Sequence, residues 1–135
     1  MFRLSIVTPE KIFFDGEVRS LVVPGSEGYL GVLSNHAPLI SALQAGKIQF
    51  TDGSSQDRVM AVSRGFFEVS NNVATVLADQ IENANEINIE SARTAYRDDR
   101  QRLHSDASLT AIDRKSLEAR MRWQAARIKV YEDTH

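Results

Sequence analysis

Gly25, Gly28 and Gly31 are spaced closely enough to raise the question of a phosphate-binding turn, in which backbone N–H groups wrap an anion. The spacing is wrong for a P-loop, no Lys-Ser or Lys-Thr follows, and Pro38 interrupts any helix that would supply its N-terminus. The three histidines, His36, His104 and His135, lie far apart and have no cysteine companions, so the sequence does not spell out a metal site. His36 reads instead as a structural or interfacial residue. Ser63-Arg64-Gly65 falls between two strand-like segments, not at a strand-to-helix elbow, and no neighbouring His or Asp completes a triad. Asp98-Asp99 sits among Arg97 and Arg100, where solvated ion pairing on a helix is the expected role. Catalytic chemistry therefore finds no foothold.

The segment Gly25-Ser26-Glu27-Gly28-Tyr29-Leu30-Gly31-Val32-Leu33-Ser34-Asn35-His36-Ala37-Pro38-Leu39-Ile40 invites another kind of function. It sets apolar and aromatic side chains beside glycines near loop ends, as surfaces that receive partners do. A structural reading stands beside it: the glycines permit positive φ, while Leu30, Val32 and Leu33 reach into a core.

The elements that must carry this loop can be read from punctuation and periodicity. Through residue 78, turn residues recur every few positions: Pro9, Asp15-Gly16, Pro24-Gly25, Ser34-Asn35, Gly46, Asp52-Gly53-Ser54-Ser55 and Asn71-Asn72. Between them, Phe2, Leu4 and Ile6 alternate with Arg3 and Ser5, and Ile48 and Phe50 with Lys47 and Gln49. Residues 59–62, 66–69 and 73–77 are rich in β-branched and aromatic types, and Asn71-Asn72 suits a tight hairpin turn. The expected core comprises Leu4, Ile6, Leu21, Val23, Ile48, Val59, Ala61, Phe67, Val69 and Val76.

Beyond Ala78 both Gly and Pro disappear, while Glu, Arg, Ala and Gln dominate. Asn88 is placed to cap a first helix over about 89–103, with Ile89, Ala92, Tyr96 and Leu103 near one face. Thr110 and Asp113 form a capping-box pattern that opens a second helix reaching about Tyr131. Its apolar stripe is Leu117, Met121, Ala125, Ile128 and Tyr131, with Arg114, Arg120, Arg122 and Arg127 over the remaining surface. The sequence thus predicts an α+β chain: a β-sandwich of many short antiparallel strands over residues 1–84, then an antiparallel two-helix hairpin over 85–135. Narrow, Ala-rich stripes predict a hairpin held only marginally and able to move, the alternative being a rigid buttress.

Across its 135 residues, sixteen Lys and Arg against eighteen Asp and Glu leave a formal net charge of -2, which gives no global attraction for nucleic acid. The absence of cysteine excludes disulfides and thiolate chemistry and fits a reducing compartment. No apolar run approaches the ~18 residues of a membrane span, and the opening residues lack a signal-peptide layout, so an intracellular protein without membrane insertion is expected.

Taken together, GSEGYLGVLSNHAPLI, the opening Leu4-Ser5-Ile6-Val7-Thr8-Pro9, residues 62–69, residues 73–78 and the helix opening Ile87-Asn88-Ile89-Glu90-Ser91-Ala92-Arg93 closely resemble the ε subunit family of F-type ATP synthases, over nearly the whole chain. The resemblance implies a non-catalytic rotor subunit whose sandwich touches the γ subunit and the ring of c subunits. Its hairpin would either fold beside the sandwich or extend into the α and β subunits, impeding ATP hydrolysis. It assigns Glu27, Tyr29 and Leu30 to the ring-facing loop and His36, Ala37 and Pro38 to stalk docking. In the extended state Arg114, Arg120, Arg122 and Arg127 would meet an acidic segment of β, the alternative being a solvated helix face.

Some members of that family bind ATP through an Ile-Asp-x-x-Arg-Ala motif on the hairpin. Here Asn88 and Ser91 replace both polar anchors, so charge-assisted contacts to a nucleotide would be missing. Glu82 and Arg127 resemble the remaining contacts. Glu82, Asn88 and Arg127 are thus the residues on which nucleotide binding would rest, and the expectation is that no cofactor is bound. The resemblance places the protein peripherally on the cytoplasmic face of a bacterial inner membrane, or on the stromal face of a thylakoid. The alternative from another class is a free-standing β-sandwich binding module with a ligand or partner site around His36.

Overall fold

The computed structural model describes residues 1–135. Nine strands come first: β1 (Phe2–Val7), β2 (Ile12–Gly25), β3 (Gly28–Val32), β4 (Leu39–Leu43), β5 (Gly46–Asp52), β6 (Asp57–Val62), β7 (Gly65–Ser70), β8 (Val73–Ala78) and β9 (Ile81–Asn83). A 3-10 turn (Ala84–Glu86) leads into α1 (Ile89–Ser105) and α2 (Ala111–Thr134). The strands follow the order β1-β8-β7-β4-β2-β5-β6-β9, with β3 on β2, and β1 also pairs with β2. This is the sandwich expected from the turn spacing, with two refinements. The β1–β8 pairing is parallel. And β2 is a single 14-residue strand, because its first half pairs with β1 while its second half pairs with β3 and β5. A register shift between Val18 and Ser20 bends it from one layer to the other, as bulges do at sheet corners.

The sandwich core contains Phe2, Leu4, Ile6, Val18, Leu21, Val23, Ile48, Phe50, Met60, Val62, Phe67, Val69 and Val76, the inward half of each alternating strand. Val59 and Ala61 are not in it. On β6 the inward positions are Met60 and Val62, and Ala61 joins Ile87 and Val130 in a second cluster with Val59 packed at its edge. The physical reason is register: both faces of β6 are covered, one by the opposite layer and one by the hairpin, so its run of apolar residues does not reveal which face is which. Asn71 and Asn72 both have positive φ (52° and 64°), as a tight β7–β8 hairpin requires.

Both helix starts follow their capping signals. The Asn88 side chain accepts the Ser91 N–H at 3.0 Å, and Thr110 and Asp113 satisfy each other's backbone N–H groups at 3.1 Å. The helices run antiparallel, since Arg93 reaches Glu132 while Asp99 reaches Arg120. The stripe on α2 differs from expectation. Leu117 is buried, but the other fully covered positions are Ala126 and Val130, and Ala125 is exposed. Because α2 packs against α1 on one side and against β5, β6 and the 3-10 turn on another, its contact surface is broader than any single stripe.

Candidate functional site

The tight turn joining β2 to β3 holds Glu27 in solvent, and Gly28 sits there at φ 129°, a backbone conformation that side chains resist. Tyr29 follows, half exposed; its hydroxyl accepts the Lys47 N–H at 3.2 Å and lies over Gly46, where a Cβ would strike Pro24. Leu30 packs against the sandwich core, Val32 is buried and Leu33 is exposed, so the loop is partly structural and partly free.

His36, Ala37 and Pro38 lie beyond the opposite end of β3, about 16 Å of strand away. The His36 Nδ1–H donates to the Ala37 carbonyl at 2.7 Å, which occupies one ring nitrogen within the loop. This loop is also fastened from outside: the Asn35 N–H donates to Asn72 Oδ1 at 2.7 Å, and Asn72 Nδ2 donates to the Met1 carbonyl at 3.0 Å. The two halves of the sequence segment therefore face different directions.

Between them runs a surface that the sequence reading passed over. Val7 on β1, Leu77 on β8, Phe66 on β7 and Ala42 on β4 are successive cross-strand partners, and Ile40 lies two residues along β4 on the same face. Phe66, Leu77 and Ile40 are each more than half exposed, at 63%, 51% and 72%. A shallow groove of about 540 Å3 is bordered by Val7, Ala42, Phe66 and Leu77 together with Thr8, Pro9, Arg64 and Asp79. The signal was present in Phe66-Phe67: two adjacent large apolar residues on one strand point to opposite faces, so one had to lie outside. Gly65 lets β7 approach β8 there, because a Cβ would overlap the Leu77 carbonyl.

The basic residues of α2 do not share one environment. Arg114 and Arg122 are exposed. Arg120 reaches Asp99 at 3.3 Å; Asp99, expected to be solvated, is instead buried between the helices, and its Oδ2 has no partner. Arg127 is drawn onto the sandwich. Its Nε and Nη2 donate to the two Glu82 oxygens at 2.7 and 3.4 Å, and Nη1 donates to Gln124 at 2.7 Å. Of the three residues named for nucleotide binding, Glu82 and Arg127 are thus brought together and bonded to each other, and Asn88 is spent on its helix cap. At the C-terminal end of α2, Lys47 and Lys129 both approach Asp133, at 3.3 and 3.5 Å. Hydrogen bonding from Lys47, followed by the attraction of Lys129, holds the Asp133 carboxyl below its ordinary range despite some desolvation.

No group of His, Cys, Asp or Glu is arranged to hold a metal ion, and no helix is long and apolar enough to cross a membrane.

Residues 1–84 match the family described as the ATP synthase delta/epsilon chain beta-sandwich domain. The chain is 44% identical over 115 residues to the ATP synthase epsilon chain of Desulforamulus reducens, covering 85% of this chain and 86% of that one. It is 39% identical over 126 residues to the epsilon chain of Moorella thermoacetica, covering 93% and 92%. Among solved structures, a chain of the Euglena gracilis mitochondrial ATP synthase, determined by cryo-electron microscopy as an OSCP, F1 and c-ring assembly, superposes with a TM-score of 0.81 at 19% identity, covering 98% of this chain and 80% of that one.

Proposed function

Because the chain belongs to the delta/epsilon family of ATP synthase subunits, as an epsilon chain and hence an accessory, peripheral part of that complex, we propose that it works in the central stalk as a mechanical coupler whose hairpin restrains ATP hydrolysis. The catalytic sites lie in its partners. The sandwich docks on γ through the outward apolar row and on the ring of c subunits through the turn carrying Glu27 and Tyr29. The observation that carries this reading is the exposed row of Val7, Leu77, Phe66, Ala42 and Ile40: a contiguous apolar strip on an otherwise alternating sheet is stable in water but gains when covered. His36, Ala37 and Pro38 border the same layer through β4 and contribute to the γ contact.

In the restraining state α2 leaves the sandwich and reaches α and β, where Arg114, Arg120, Arg122 and Arg127 meet acidic side chains. Arg114 and Arg122 are exposed and available for this; Arg120 and Arg127 must first give up Asp99 and Glu82. No nucleotide is required for the folded-down state, since Glu82 and Arg127 satisfy each other. The subunit acts on the cytoplasmic face of a bacterial inner membrane, or on its stromal equivalent.

The test is ATP hydrolysis by the reconstituted catalytic complex with no added subunit, with the full chain, and with a chain truncated after Ala84. The full chain should bind and suppress hydrolysis, and the truncated chain should bind without suppressing it. Equal rates for the two would remove the hairpin from regulation, and failure of both to bind would remove the docking assignment.

A further inference from the structure

The reading above gives the hairpin two positions, and the following rests on it: something in the folded-down state must set how readily α2 lifts. The candidates are limited by how the hairpin is attached. α1 packs on α2, and α2 makes the hairpin's principal contacts with β5, β6 and the 3-10 turn. α1 is joined to the sandwich through the linker after Ile87 and to α2 through the loop into Thr110, so the hairpin lifts as a unit only when α2 leaves the sheet. Release is therefore controlled at the seam between α2 and the sandwich.

That seam is thin in apolar terms. Its fully covered centre consists of Ala61, Ile87 and Val130, with Val59, Ala84, Trp123 and Tyr131 at its edges. Its polar part is two ion pairs. Lys47–Asp133 is a single contact of 3.3 Å at the C-terminal end of α2, where the helix frays most easily. Glu82–Arg127 is different in kind. It is the shortest ion pair in the molecule, its side chains are 12% exposed for Arg127 and 26% for Glu82, and both carboxylate oxygens meet the guanidinium fork. Gln124, one turn earlier on α2, accepts a third guanidinium N–H and fixes the plane of the group. Withdrawal from water reduces screening, and bidentate geometry reduces the freedom lost on pairing, so this contact outweighs the exposed pairs. If α2 shifts along the sheet, both bonds are lost together, which gives the folded position one defined register.

We propose that Glu82 on β9 and Arg127 on α2 form the latch that holds the hairpin down and sets its rate of release. Removing either charge frees α2, whereas exchanging the two charges preserves the latch.

The chain has no cysteine, so a single introduced thiol reports release. In a Val130→Cys background, the thiol replaces a fully covered valine at the centre of the seam and reacts with a soluble thiol reagent only when α2 lifts. Glu82→Gln and Arg127→Gln should each accelerate labelling of the full chain by about tenfold, the scale of one charge-assisted bond. Glu82→Arg combined with Arg127→Glu should return the rate to within about threefold of the background, and Arg93→Gln, which removes the exposed interhelical pair with Glu132, should change it less than twofold. The latch is overturned if the two Gln variants label within twofold of the background, if Arg93→Gln accelerates labelling as much as they do, or if the exchanged pair labels as fast as either single variant. Labelling needs no partner, so accelerated labelling with unaltered hydrolysis in the complex would reject the restraining role and leave the latch standing.

Discussion

The sandwich and the hairpin are stabilised by different means. The sandwich closes on itself through backbone pairing and a core of 18 buried residues, whereas the hairpin depends on a three-residue seam, four ion pairs that join one helix to the other or to the sheet, and two capped helix starts. A close-packed apolar core resists every displacement, but a contact made of a few charges and small side chains can be exchanged for similar contacts elsewhere. The difference suits one region to remain fixed and the other to move.

The contrast breaks most visibly at β7. Phe67→Ala should cost about 3–5 kcal/mol because it opens a cavity in the core, whereas the neighbouring Phe66→Ser should change stability by less than about 0.5 kcal/mol; chemical denaturation of both variants checks this. If Phe66 proved equally costly, the exposed row would not be a free surface. Gly65→Ala should destabilise the same strand pair through overlap with the Leu77 carbonyl, lowering the same denaturation midpoint.

In the hairpin the expected changes are smaller and one has the opposite sign. Asp99→Leu removes a buried carboxylate oxygen without a partner and leaves only the well-exposed Arg120 unpaired, so α1 should pack on α2 more firmly by about 1–2 kcal/mol. Slower amide exchange in α1 would show it; faster exchange would mean that the Arg120 contact matters more than the orphaned oxygen. Thr110→Ala should weaken the start of α2 by about 1 kcal/mol, visible as reduced helical circular dichroism near the midpoint of unfolding.

The smallest effect concerns pH. Asp133 titrates below its ordinary range in the folded chain, so its contribution is fully present above the unfolded value of about 3.9 and is lost as pH falls through the lower folded value. The midpoint of chemical denaturation should therefore fall below about pH 4 by more in the full chain than in Asp133→Asn, a comparison that separates this carboxylate from the Glu82 latch.

Much of the architecture was legible beforehand. Turn residues marked most strand ends, Asn71-Asn72 marked a hairpin, and Asn88 and Thr110 marked the helix starts, because each is a local preference that needs no distant partner; Asp15-Gly16 is the exception, read as a turn but lying inside β2, where pairing with Ser5 and Leu4 of β1 holds it extended. The segment from Gly25 to Ile40 stood out in the sequence as a candidate docking segment, whereas the exposed strip formed by Val7, Leu77, Phe66 and Ala42 did not, because its members come from four strands scattered along the chain.

The amino-acid sequence by itself determined the order of elements, their caps and turns, and the alternation that builds a sandwich, since these depend on neighbours within a few residues. Only the tertiary structure decided which face of β6 Val59 and Ala61 occupy, that Asp99 is buried, and that Arg127 belongs to Glu82 and not to the free basic surface of α2. Period-two and 3.6-residue patterns state that a face is apolar or charged, but burial and pairing are set by what another part of the chain brings against it.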